Sequence, residues 1–438
     1  MLRVLRLRDY RLVVAGQLLS WLGDWLLLVA APFFVLRMTG STLATGLSVA
    51  CGTAPALVLG PVAGVLADRW DRRRTMLAAD VLRAAAVASM IAVRRPGEVW
   101  VIYAALVVEA GFGQFFSPAA QALLPQLVGR GRDLAAANSF SSLIGGTVRL
   151  AGGALGGLLY AVFGFHAVAG IDAASYLASA GLLAALRYRP DAASRTRVRL
   201  RFGEELRSGV AHVRTAPGLP ALFGCAAVFF LGNAVLTALT VPYIGLELHA
   251  AAGTLGLLYS ALGVGFLVGA PVSRFAAARW SARAVVAGSL GVLSVVFAAA
   301  FNVRDTAWDL PLFALIGLPG VCFLVTASTW VARSTPDRLL GRTNSAYLMV
   351  QLGMTLLGVV GGAALGQQIG VGATADLGAV LVAGSAVLAV TLPRDPGAAQ
   401  PSASGAVLDD DAEDPGSAGP AQSGERPAVT GPGGERAR

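Results

Sequence analysis

Three ionisable residues stand in the middle of long apolar runs: Asp24, Glu109 and Arg149. Charge at bilayer depth is costly, so residues kept there pair with one another, meet a solute or carry protons. At a rise of 1.5 Å per residue, Asp24 lies about 18 Å into its run and Arg149 about 15 Å into its own. Both depths are near the middle of a hydrocarbon core about 30 Å thick. Glu109 lies at a similar depth in a third run. Together the three carry one net negative charge. One reading pairs Glu109 with Arg149 and leaves Asp24 to exchange a proton; a group protonated in one conformation and ionised in another gives the two different affinities. The competing reading is a static ion-pair cluster that fixes helix packing.

Holding such residues at depth requires a set of lipid-spanning helices. The chain has 438 residues, 55% of them hydrophobic and 13% charged, with 54 glycines. A single soluble core stops growing near roughly 250–300 residues, and lipid is the solvent that accommodates the remainder. Twelve apolar runs are long enough to span: 12–36, 44–66, 75–93, 98–117, 139–162, 167–186, 219–243, 254–273, 284–302, 308–330, 344–368 and 373–392. The run after the basic segment Met1–Arg11 is too long for the apolar core of a cleavable signal and reads as span one. All 34 basic residues are arginine, in short clusters between spans. Twenty-eight fall on one side of this topology and four on the other, which places both termini in the cytoplasm. The net charge of +9 therefore reads as a membrane-facing asymmetry rather than a nucleic-acid surface. A lysine-free chain rich in Ala, Gly and Arg points to a GC-rich bacterial gene, and a multi-pass helical protein of such a cell is expected in the bacterial cytoplasmic (inner) membrane.

The domains expected are a six-helix bundle over 1–186, a cytoplasmic linker over 187–218, a second six-helix bundle over 219–392 and a disordered, acidic cytoplasmic tail over 393–438. In the linker, Phe202, Leu206, Val210 and Val213 share a helical face flanked by Arg199, Arg207 and Arg214, the pattern of an amphipathic helix on an anionic leaflet. Asp80 and Arg83, spaced i, i+3, read as a structural pair nearer the cytoplasmic surface. Asp172 reads as structural near the outer end of span six. The second bundle has no comparable buried charge in this reading. Its polar candidates are Asn233, Gln351 and Thr355, each read as helix–helix contact. Cys51, Cys225 and Cys322 and the three histidines lack metal-ligand spacing. There is no nucleophile elbow, dinucleotide fingerprint or Walker sequence. The expectation is a protein that is not an enzyme and holds no cofactor or metal.

The two halves repeat. Asn138-Ser139 recurs as Asn344-Ser345, and Gly152 and Gly156 recur as Gly358 and Gly362, all at one offset. Gly64-x-x-x-Asp68-Arg69 is matched to Gly269-x-x-x-Ser273-Arg274, and Trp100 to Trp308. Gly152 with Gly156, and Gly153 with Gly157, form small-xxx-small faces for close helix packing. Pro32, Pro55, Pro61, Pro242, Pro271 and Pro319 can kink their helices where neighbours re-satisfy the backbone.

The segment Gly64-Val65-Leu66-Ala67-Asp68-Arg69-Trp70-Asp71-Arg72-Arg73-Arg74 resembles the loop 2–3 signature of the major facilitator superfamily, Gly-x-x-x-Asp-Arg-x-Gly-Arg-Arg, with Asp71 where glycine is usual. Leu22-Gly23-Asp24-Trp25, Asp80-x-x-Arg83, Pro118 through Pro125 and Ile171-Asp172-Ala173 are similar to the branch containing enterobactin and macrolide exporters. The stretch Gly152-Gly153-Ala154-Leu155-Gly156-Gly157 resembles an antiporter element, with Gly153 where proline is usual. The resemblance implies an all-α membrane fold of twelve helices in two pseudo-symmetric six-helix bundles, with spans one and four lining a central cavity. It assigns gating to Gly64, Asp68, Arg69, Arg72 and Arg73. The Asp68 carboxylate would meet the N-terminus of span eleven near Asn344, a contact worth about 0.3–1 kcal/mol at a partial positive helix end. The implied activity is secondary active, proton-coupled efflux of a small amphipathic compound (a drug, macrolide or siderophore-like molecule) by a monomer, whose partners are that solute, protons and the bilayer. An importer on the same fold, or a membrane sensor or assembly factor that no longer transports, is the alternative.

Overall fold

The computed structural model describes residues 4–129, 131–187, 202–303 and 305–395, excepting the side chains of residues 61, 64–69 and 202–206. The acidic tail and most of the linker's basic stretch therefore lie outside the described residues. The helices are α1 (Arg8–Thr39), α2 (Thr42–Arg69), α3 (Arg72–Ser89), α4 (Val99–Val128), α5 (Arg132–Ala184), α6 (Phe202–Thr215), α7 (Leu219–Pro242), α8 (Ala252–Arg279), α9 (Ala282–Asn302), α10 (Thr306–Arg333), α11 (Asp337–Ile369) and α12 (Val371–Ala389).

Eleven helices among the described residues are long and apolar enough to cross a bilayer. One of them, α5, has 53 residues, more than twice the length a single crossing needs. It breaks at Gly164, whose φ of 75° and ψ of 177° are open to glycine and not to a helix. Its contacts with α1 show the chain turning back. Gly156 packs on Leu26, Phe165 stacks on Phe34 at 4.1 Å, and further along Gly23 meets Asp172 and Gly16 meets Ser179. The sequence runs reach 162 and resume at 167, so α5 holds spans five and six, and the described helices amount to twelve spans. Large apolar side chains such as Val58, Val162, Val295 and Val387 face outward, as a lipid-facing surface requires and a water-facing one avoids. Trp70 and Trp280 are exposed at one end of the bundle and Trp100 and Trp308 at the other, the positions indoles favour at membrane interfaces.

Each half packs in the same pattern. The first spans, α1 and α7, lie against α5 and α11, the second against α4 and α10, and the third between the fourth and the sixth. Gly152 and Gly156 meet α1 at Trp25 and Leu26, as Gly358 and Gly362 meet α7 at Leu231, Ala234 and Val235. Gly153 and Gly157 turn the other way, onto Tyr259, Ala252 and Gly256 of α8. The four glycines of this element thus let one helix approach two neighbours closely.

The short loops match at a different register from the one the sequence suggests. α2 and α8 end at Arg69 and Arg279, each followed by Trp and then by a cap. The Asp71 carboxylate accepts the Arg74 N–H at 2.8 Å, and Ser281 caps α9 in the same way through Ala284. Asp71, the departure from the family signature, is therefore the N-cap of α3. The counterpart of Asp68 is Ala278. Ser273 instead lies buried six residues inside α8, its hydroxyl on the Ala270 carbonyl.

The termini of α1, α3, α5, α9 and α11 that begin among arginines define a basic end. Contacts between the halves gather toward the opposite end. There Gly46 closes on Ala363, Gly366 on Thr42, and the Ser41 hydroxyl donates to Gln367 Oε1 at 3.0 Å. Between α5 and α8, a Cβ on Gly157 would lie 2.6 Å from the Ala252 carbonyl oxygen, and Ser260 donates to the Leu150 carbonyl at 2.9 Å. The linker helix α6 docks on the second half at the basic end. Gly209 lies against the Arg342 backbone, Arg342 donates to Ser208 Oγ at 3.1 Å, and Val213 is buried. Of the described residues on its apolar face, Val213 is buried and Val210 is exposed.

Candidate functional site

The buried stripe of α3 runs Met76, Ala79, Asp80, Arg83, Ala84, Val87, a helical spacing with two charges in it. Arg83 is the centre of the site. Its Nη2 donates to Asp24 Oδ1 of α1 at 3.0 Å and to Glu109 Oε1 of α4 at 2.7 Å, and its Nη1 lies 3.9 Å from Asp80 Oδ1. The guanidinium carbon sits 4.1 Å from the centre of the Tyr176 ring. The Tyr176 hydroxyl, from the second part of α5, reaches Glu109 Oε1 at 2.9 Å and Asp24 Oδ1 at 2.5 Å. Gly113 of α4 makes room beside the guanidinium, and Gly23 beside the buried Asp172 carboxylate. Four helices thus converge on one cation.

The acids differ in access. Asp24 and Glu109 side chains are 32% and 15% exposed, while Asp80 is sealed at 0%. Asp24 and Glu109 open onto a cavity of about 230 Å³ between α1, α2 and α4, which Trp25, Ser48 and Thr53 also line. This cavity extends toward the end away from the arginines. On the basic-end side of Trp25 lies a second cavity of about 650 Å³ between α1, α5 and α8, with Trp21, Ser141, Arg149 and Phe266 in its wall. Phe266 also borders a third cavity of about 280 Å³ inside the second half, walled by Phe229, Phe230, Phe297, Phe313 and Tyr259, with Asn233, Thr237, Thr240 and Gln351 among its polar groups.

Of the residues singled out by sequence, Asp24 and Glu109 come together and Arg149 does not join them. The partner of Glu109 is Arg83, because α3 packs between α4 and the sixth span and begins early enough to carry Arg83 to mid-depth. Asp80 and Arg83, expected as a structural pair nearer the cytoplasmic surface, belong to this cluster, and Tyr176 carries no signal that sets it apart in the sequence. Asp309 corrects the expectation that the second half buries no charge. It is fully buried in the first turn of α10, beside Tyr243. Its signal was the Asp305 cap four residues earlier, whose carboxylate accepts the Ala307 N–H. Among the gating residues, Gly64, Asp68 and Arg69 lie in the last two turns of α2, where side chains are outside the described residues. Arg72 opens α3, and Arg73 donates to the Leu183 carbonyl at 2.9 Å and to that of Ala184, holding the end of the sixth span.

The family described as transmembrane secretion effectors matches residues 2–410. The MFS-type transporter YfiS of Bacillus subtilis is 36% identical over 172 residues, 39% of this chain and 40% of that one. Macrolide efflux protein A of Streptococcus pyogenes is 30% identical over 211 residues, 48% of this chain and 52% of that one. These matches span about half, or less, of each relative's length. The enterobactin exporter EntS of Citrobacter koseri is 29% identical over 374 residues, 80% of this chain and 85% of that one. Among solved structures, a bacterial homologue of the iron transporter ferroportin in its inward-facing state aligns at a TM-score of 0.68 and 18% identity, over 88% of this chain and 98% of that one. The nucleoside transporter NupG aligns at 0.69 and 13%, over 87% and 97%. At these identities the structural likeness speaks for the fold.

Proposed function

We propose that this chain, which belongs to the transmembrane secretion effector family of the major facilitator superfamily, is a secondary active exporter that couples proton entry to efflux of a small amphipathic compound. The observation that carries the reading is the Asp24–Arg83–Glu109 cluster, held at mid-depth with a cavity on each side of Trp25. The arginine asymmetry favours the basic end in the cytoplasm of a bacterial inner membrane, with both termini there. The conformation described is then closed outside and open inside. The cavity beside Asp24 and Glu109 points outward and suits proton entry. The larger cavity at Arg149 suits solute entry from the cytoplasm, and its continuation at Phe266 offers aromatic faces to an apolar body. Protonating Asp24 or Glu109 weakens the pull of that acid on Arg83 and so changes the relative energy of the two facing states. Residues 1–186 and 219–392 act as the two rocking bundles, joined by 187–218, with 393–438 as a cytoplasmic tail. Gly153 and Gly157 form the outer contact that parts, and Asp68 with Arg69, Arg72 and Arg73 latches the inner one. The chain works as a monomer in lipid, performs no covalent chemistry, and needs neither cofactor nor nucleic acid. Drug or macrolide efflux of this kind confers resistance.

The reading is tested with purified protein in proteoliposomes, erythromycin as probe and an imposed pH gradient. Gradient-driven erythromycin movement that falls by about tenfold or more in Asp24→Asn and in Glu109→Gln supports it. Gradient-independent movement in the unmodified protein, or normal rates in both variants, removes proton coupling. For the latch, Asp68→Asn is expected to leave the cytoplasmic cavity more reactive to thiol reagents at an engineered cysteine.

A further inference from the structure

The hydrogen-bond arithmetic of the cluster requires a proton that the residue types alone do not supply. The Tyr176 hydroxyl is within hydrogen-bond distance of both Asp24 Oδ1 and Glu109 Oε1. A phenol has one proton to donate, and an ionised carboxylate only accepts. Tyr176 therefore satisfies one acid as donor. Its second contact is a hydrogen bond only when the other acid is protonated and donates to the phenol oxygen. Arg83 donates to the same two carboxylate oxygens and brings one positive charge against two negative ones. The remaining ionisable groups that face the site are acids: Asp80 from α3, 3.9 Å from Arg83 and fully buried, and Asp172 from the same span as Tyr176. Both are buried carboxyl groups, so neither brings a second cation to the pair.

We infer that Asp24 and Glu109 hold one proton between them in this conformation, and that the Tyr176 hydroxyl positions it and passes it from one acid to the other. The step balances. The carboxylic O–H of Asp24 gives its proton to the phenol oxygen as the phenol O–H gives its own to Glu109, so Asp24 becomes a carboxylate, Glu109 an acid and Tyr176 is unchanged. Asp24 is the more exposed of the two and is the loading position, while Glu109 is the storing one. The Asp24–Glu109 pair presents Arg83 with a single negative charge in either arrangement, so the proton can move without leaving the guanidinium unpaired. Tyr176 is a positioning residue in this scheme. The inference rests on the proton-coupled reading above.

The test is pH-difference infrared spectroscopy on the full-length protein in lipid vesicles, read at the carbonyl stretch of protonated carboxylic acids, with Asp24→Asn, Glu109→Gln and Tyr176→Phe. The same vesicles are assayed for pH-driven erythromycin flux. A shared proton gives one titrating band that disappears in both the Asp24 and the Glu109 variants, since either acid alone beside Arg83 ionises. Tyr176→Phe is expected to move that band and to slow pH-driven flux by about tenfold or more. Separate bands lost one at a time, or a Tyr176→Phe band and pH profile that match the unmodified protein, overturn the inference. The two ideas fail separately. A shared band without pH-driven flux leaves the shared proton standing and ends proton coupling, whereas pH-driven flux without a shared band keeps coupling and ends the relay.

Discussion

The two halves share one scaffold and fill it with opposite chemistry. Gly156 meets Leu26 as Gly362 meets Val235, and that spacing makes Asn233 the counterpart of Asp24. The caps Asp71 and Ser281 set Arg83 opposite Leu293. The left-handed glycines Gly164 and Gly370 set Tyr176 opposite Val382. Leu293 and Val382 are fully buried core residues. Where the first half gathers charges about a guanidinium, the second has the neutral Asn233 and the aliphatic Leu293 and Val382, and nearby it opens a cavity walled by phenylalanines. Replacing a buried ion pair by well-packed apolar residues is often neutral or stabilising. The second half demonstrates that this scaffold does not need the charges to form. The difference therefore argues against a purely structural role for the cluster, which is the alternative the sequence left open.

The largest expected effect comes from breaking the cluster at its centre. Arg83→Leu leaves Asp24, Glu109 and Asp80 facing one another without a cation, at a cost of about 3–5 kcal/mol, visible as a large drop in the thermal unfolding midpoint and complete loss of flux. The triple variant Asp24→Asn, Arg83→Leu, Glu109→Gln makes the first half resemble the second. It is expected to regain most of the lost thermal stability and none of the pH-driven flux. A triple variant as unstable as Arg83→Leu alone would mean that the charges hold the bundle together, and the comparison would lose its force.

Much of the frame was legible because lipid imposes it. Apolar runs of about twenty residues, arginine on one side and repeated glycines follow from that solvent, and each falls where the helices lie. The helices overrun the apolar runs, α1 reaching Arg8–Thr39 against 12–36, because a helix continues past the hydrocarbon into the interface. The site was half legible. Asp24 and Glu109 announce themselves as charges in apolar sequence, but the choice between Arg83 and Arg149 as partner is made by which helix packs beside α4. Periodicity places Arg83 on a face of α3 and says nothing of the neighbour that face meets. Tyr176 carries no charge and looks like any buried aromatic. Asp309 sits at the edge of its run, where a carboxylate reads as loop.

The next effect concerns the contact the halves share. Gly157 faces the Ala252 carbonyl oxygen and Gly256, so Gly157→Leu wedges α5 from α8 at the closed end. Overpacking of this kind costs about 1–3 kcal/mol in this conformation and not in one where the helices have parted. The expected result is a shift toward the opposite facing state, read as increased labelling of a cysteine placed at Thr42. Gly361→Leu, at a glycine with open space around its Cβ position, serves as the control. Equal labelling in both would show that the α5–α8 contact does not set the facing state. In the aromatic cavity, Phe230→Ala removes one wall and is expected to weaken erythromycin binding by about tenfold, equivalent to about 1.4 kcal/mol, without changing the pH dependence of flux. A changed pH profile instead would couple the two halves' chemistries more tightly than their separate cavities imply.

The smallest effect tests how each half ties its third helix to its sixth. In the first half, the Arg73 side chain donates to the carbonyls that end the sixth span. In the second, the direction is reversed: the Asp395 carboxylate beyond α12 accepts the Ala282 N–H at the start of α9, at 3.2 Å. One tie uses a cation at a helix C-terminus and the other an anion at a helix N-terminus, both favourable to the helix dipole. Arg73→Ala and Asp395→Ala are each expected to cost about 1 kcal/mol or less in thermal stability, and the loss should shrink at high salt, because both ties lie at the water-facing end where ions screen them. Of the two, Arg73→Ala alone should also alter flux, since it frees the span that carries Tyr176. Equal flux in the two variants would show that the sixth span is held in place by its packing on α1 rather than by this tie.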